Sequence, residues 1–164
     1  LCVTLLLCRN LYYLRNTWKG LIGNWYKMPP VVLELCDDIL ADTSHEEKTA
    51  VFPFPLNMWV HQYTTEIDIP FAMYRSTYES DETIISLYDA MMNKGEDPID
   101  LDEVAMYAKT GHYNYIVLPR TGNFIGNLEE NGYMKLETVG SDVQEADSDY
   151  EREYVLYSLT EELS

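Results

Sequence analysis

Apolar positions in this chain form two kinds of run, helical stripes and short unbroken stretches. Tyr113–Arg120, YNYIVLPR, is the clearest of the short ones, entered through Gly111 and left through Pro119. A β-branched run of that length predicts the central buried strand of an α/β domain. Upstream, Val32, Leu35, Cys36, Ile39 and Leu40 repeat at the helical period behind Pro29 and Pro30 and predict a helix over about 30–42. Asp37, Asp38 and Asp42 fall near its solvent side.

KTAVFPFP (48–55) reads as the first strand of the sheet, stopped by its prolines. A short helix follows with Asn57 as a candidate N-cap. Ile84, Ile85, Tyr88, Met91 and Met92 predict a helix over about 81–93, capped by Ser80 and closed by Gly95. Asp100 followed by Glu103 resembles a capping box and opens a helix over about 100–110, with Gly111 as its C′ residue. Helix, glycine turn and apolar strand together describe the second half of a crossover onto a parallel strand. Beyond it, 121–132 predicts a loop and a short helix ending at Gly132. YMKLETVG (133–140) alternates Met134, Leu136 and Thr138 against Tyr133, Lys135, Glu137 and Val139, as a half-buried strand does. EYVLYSL (153–159) is its antiparallel partner across an acidic loop.

The fold class expected is α/β: a three-layer Rossmann-like sheet, mostly parallel, with a C-terminal antiparallel hairpin. Its ligand crevice is expected beyond the carboxyl ends of strands 49–54 and 114–118. The division expected is 1–28 as the end of a membrane helix and connector, 29–160 as the α/β domain and 161–164 as a tail.

Leu1–Cys8 is wholly apolar and is followed by interleaved Arg, Lys, Tyr and Trp. Eight apolar residues fall short of the roughly 20 that span a bilayer. They suit the last turns of a spanning helix, with an aromatic and basic interfacial flank. An amphipathic helix and a signal-peptide remnant are the alternatives. Arg9 and Arg15 would favour a cytoplasmic flank.

Charge changes the picture of partners. Residues 1–35 carry Arg9, Arg15, Lys19 and Lys27 against Glu34 alone, a net of +3, while residues 36–164 carry 7 basic and 27 acidic side chains, a net of −20. A nucleic-acid partner is excluded, since a phosphate backbone needs a basic footprint. No cofactor is implied. Cys2, Cys8 and Cys36 show no pairing pattern, and His45, His61 and His112 show no metal-ligand spacing. RTGN (120–123) lacks the spacing of a phosphate loop. No strong motif of an enzyme is present, and a small soluble enzyme of nucleotide or sugar chemistry stays as the weaker reading.

Read together, MPPVVLELCDDI, AVFPFPLNMWVHQYTTEIDIPFAMYR, LDEVAMYAKTGHYNYIVLPR, LEENGYMKLETVG and YVLYSL follow an order of elements. That order resembles the C-terminal soluble domain of multi-spanning bacterial membrane proteins similar to the C-type glycosyltransferases, which use lipid-linked sugars. The resemblance spans about residues 1–159. It points to Gln62, Tyr63, Tyr74 and Arg75 as ligand-binding positions, with Arg120 at the end of the central strand. PFAMYR departs from the PYGR-like turn of those proteins and lacks its glycine. The resemblance implies a non-catalytic accessory domain on the outer side of the cell membrane. Its partners would be the rest of its own membrane protein and a lipid-linked sugar or glycan. A free-standing acidic interaction or immunity-type protein that binds a basic partner is the alternative.

Overall fold

Helix α1 spans Pro30–Ala41 in the computed structural model, which describes residues 28–54, 56–70, 82–91, 98–140 and 153–160. Pro30 costs the first turn no hydrogen bond, because an N–H there has no intrahelical acceptor. The helix buries Val31, Val32, Leu35, Cys36 and Ile39, the expected stripe with Val31 added and Leu40 left half-buried.

Strand β1 is only Ala50–Val51, shorter than the 48–55 expected. The chain turns into helix α2 (Asn57–Tyr63) as the Asn57 amide donates to the Pro53 carbonyl at 3.2 Å. That backbone turn places Asn57 inside the helix. Leu56 holds the N-cap position, with no capping side chain.

Helix α3 spans Glu82–Met91 and buries Leu87, Tyr88 and Met91. Its expected cap and stop, Ser80 and Gly95, lie outside the described residues. Strand β2 (Ile99–Asp100) leads directly into helix α4 (Leu101–Thr110). Asp100 is the N-cap, its Oδ1 accepting from the amides of Asp102 at 3.0 Å and Glu103 at 3.3 Å. Gly111 ends α4 with φ −85°, and the left-handed residue is His112, at φ 61°. Glycine is demanded at 111 for space instead: a Cβ there would meet the Tyr113 ring at 2.4 Å.

Strand β3 is Tyr115–Pro119. It pairs in parallel with β1 and antiparallel with β6 (Glu153–Leu159), which pairs antiparallel with β5 (Tyr133–Gly140). The sheet is therefore mixed, ordered β1-β3-β6-β5, and the expected C-terminal hairpin forms. Among the described residues, its parallel pairing joins β1 to β3, and an isolated parallel bridge ties Thr49 to Asp68 beside β1. A two-stranded parallel patch joins β2 to β4 (Phe124–Ile125). The expected short helix before Gly132 is a turn instead. Leu128 and Glu129 carbonyls accept there from the amides of Asn131 and Gly132.

Side-chain alternation along β3 divides the core. Tyr115 and Val117 join Leu35, Ile39, Trp59 and Val60 from α1 and α2. Ile116 and Leu118 join Leu87, Met91, Val104 and Ala108 from α3 and α4. Each fully buried aliphatic side chain stabilises the fold by about 1.5–3 kcal/mol relative to exposure.

The alternation expected for β5 is broken. Tyr133 is buried among the α3 and α4 residues, and Val139 among those of α1 and α2. An even spacing keeps two side chains on one face unless a residue is inserted between them. A bulge between Lys135 and Glu137 supplies it, leaving Leu136 without a cross-strand partner and exposed.

Among the described residues, no helix is long and apolar enough to cross a membrane. The Leu1–Cys8 run lies outside them.

Candidate functional site

A cleft of about 470 Å³ opens between α1 and β5, lined by Glu34, Asp37 and Asp38 on the helix and Glu137–Gly140 on the strand. Helix geometry explains the first wall: spacings of three and four bring Glu34, Asp37 and Asp38 to one side. The buried stripe of α1 seats the helix against the sheet and turns that side toward β5. The second wall depends on the bulge, which re-phases β5 so that Val139 packs beneath α1 and Glu137, two residues before it, shares that face.

Among the described residues, four carboxylates thus line one cleft, and none of the lining residues is cationic. The Asp38 carboxyl is pushed above the ordinary carboxylate range, by burial first and then by Glu137, Glu34 and Asp37. Tyr63 stands over α1 from the end of α2. Its hydroxyl donates to Asp37 Oδ1 at 2.5 Å, and that bond raises the phenol's pKa. On the buried side of the same helix, burial and the neighbouring Asp37 push the Cys36 thiol up to about 12, so it keeps its proton at neutral pH.

A second polar cluster lies at the amino end of β3. Tyr115 Oη donates to Asp42 Oδ2 at 2.8 Å, and Ser44 Oγ donates to the same oxygen at 2.5 Å. Lys48 Nζ donates to the carbonyls of Asp42 and His45. His45 Nε2 donates to the Leu159 carbonyl at 2.8 Å, and its ring meets Tyr115 edge-on. Burial and the bond to Asp42 raise the Tyr115 phenol above its ordinary pKa, so it holds its proton. These bonds fasten the 42–48 loop to the sheet.

The positions singled out by the sequence are dispersed. Tyr63 reaches the rim of the acidic cleft through Asp37. Gln62 is exposed and donates to the Met58 carbonyl of its own helix at 3.2 Å. Arg120 pairs with Glu153 at 2.5 Å, both half-exposed. Neither Gln62 nor Arg120 lines the cleft. Tyr74 and Arg75 lie outside the described residues. Glu34, Asp37, Asp38 and Glu137 were not foreseen as site residues. The spacing of the helical carboxylates was a readable signal for three of them, whereas Glu137 needs the bulge. Among the described residues, no group of His, Cys, Asp and Glu is placed to hold a metal ion.

Comparison with protein-family models, with curated proteins and with solved structures finds no match to this chain.

Proposed function

We propose that this chain is a non-catalytic binding domain, built as a three-layer Rossmann-like arrangement, that receives a cationic group in the cleft between α1 and β5. The observation that carries the reading is the convergence of Glu34, Asp37, Asp38 and Glu137 on one concavity with no cation among its described lining residues. Like charges gathered in a concave, partly desolvated site raise its free energy, and a bound cation relieves that. The raised pKa of Asp38 has burial as its first cause and this repulsion as its second.

The apolar Leu1–Cys8 run favours a second reading, an accessory domain of a membrane protein in cell-envelope glycan assembly. In that setting the cleft suits a cationic segment of the parent protein. An anionic lipid-linked sugar would meet four carboxylates there.

Octalysine is a direct probe. Fluorescence anisotropy is expected to show binding that weakens from roughly 0.1 M to 1 M salt, as charge attraction is screened. Replacing Asp37→Asn with Glu137→Gln is expected to weaken it well beyond the control pair Glu129→Gln with Glu130→Gln, which removes equal charge outside the cleft. Equal weakening by both pairs would reduce the attraction to overall charge and refute the cleft as the site.

A further inference from the structure

The cleft's second wall is also an edge of the sheet. Strand β5 ends the order β1-β3-β6-β5. Among the described residues, no backbone group outside β6 bonds to residues 134–140, whereas the Tyr133 amide is taken by the Leu128 carbonyl at 3.0 Å. An edge of this kind carries a row of donors and acceptors ready to pair with another extended chain. The first half of that edge is guarded by Lys135 and the bulge after it, two devices that oppose indiscriminate strand pairing. Its second half, Glu137–Gly140, carries neither and forms the wall of the acidic cleft.

Resting on the cationic-cleft reading, we propose that the partner is an extended basic peptide. It adds as a strand to the edge of β5 over Glu137–Gly140 and places alternate Lys or Arg side chains in the cleft. Strand geometry fits the pairing. Residues two apart on an added strand face the same way about 6.6 Å apart, so alternate basic residues present a row toward Glu137 and the α1 carboxylates. Met134 and Leu136, exposed on the same strand, offer apolar contact to residues flanking the paired segment. Charge selects against a second copy of this chain. A net charge of −17 repels its like, and edge-to-edge pairing would bring two acidic clefts together.

The test uses an octapeptide of alternating Lys and Val, with two isomers N-methylated on every Lys or on every Val. In an added strand, amides of one residue type face β5 and amides of the other face away. One isomer is therefore expected to bind roughly tenfold or more weakly, through lost backbone hydrogen bonds, and the other to keep its affinity. Loss in both isomers, or in neither, overturns strand addition. Those outcomes leave the cleft reading standing as long as the unmethylated peptide still depends on Asp37 and Glu137. A concentration-dependent dimer of the chain that the peptide does not dissociate would assign the edge to a second copy and overturn the proposal.

Discussion

Tyr115 Oη donates to Asp42 Oδ2 at 2.8 Å, joining the first residue of the central strand to the residue that closes α1. Burial alone would raise the Asp42 carboxyl. The bonds from Ser44 and Tyr115, with the Lys48 ammonium nearby, bring it below its ordinary value. The folded state therefore binds a proton at Asp42 less readily than the unfolded chain does. Stability from this group is present above the ordinary carboxylate pKa, near 4, and is lost as pH falls through the lower folded value. Asp42→Asn is expected to lower stability at neutral pH and flatten the acid limb of a urea-midpoint profile. Tyr115→Phe is expected to cost about 1 kcal/mol at neutral pH and to flatten that limb in part, since Ser44 and Lys48 remain.

Asp38 carries the opposite sign. Its folded pKa is raised, so the protonated form is favoured in the folded state. Stability linked to it is greatest below the unfolded pKa and falls as pH rises through the folded one. Asp38→Asn is expected to raise the melting temperature at neutral pH, on the order of 1–3 °C for a group still in contact with solvent. The difference should vanish below the ordinary carboxylate range. A lower melting temperature for the variant at neutral pH would show that the carboxylate is compensated there.

What was legible in the sequence was local. Asp100 capping α4 is a contact across two and three residues, and β3 announced itself by composition. Distance in sequence hid the rest. Asp42 and Tyr115 are 73 positions apart, and nothing at either marks the other. Gly111 carried the usual sign of a left-handed cap, yet crowding by Tyr113 explains it, and His112 takes the positive φ. Tyr63 was singled out by resemblance, without sight of the carboxylate it would touch. The helical wall of the cleft was half readable, since Asp37 and Asp38 stood out as exposed acids. The strand wall was not, because strict alternation in β5 assigns Glu137 without regard to the inserted residue.

That insertion gives the strictest test of the architecture. Leu136 is the residue the ladder skips, as Lys135 faces Tyr157 and Glu137 faces Leu156. Its side chain is 40% exposed, so it adds little by packing. Leu136→Thr is expected to change stability by no more than about 0.5 kcal/mol, as surface substitutions do. Deleting Leu136 is a different perturbation. Without it Tyr133 and Val139 stand five positions apart, an odd spacing, so a continuous ladder keeps them on opposite faces and each in its own cluster. No core side chain is lost, and urea denaturation should show the deletion within about 1 kcal/mol of the substitution. The deletion should also keep the dependence of octalysine binding on Glu137, since that carboxylate stays on the α1 face with Val139. A deletion far less stable than the substitution would mean that the two clusters need the bulge itself and not only the faces it assigns.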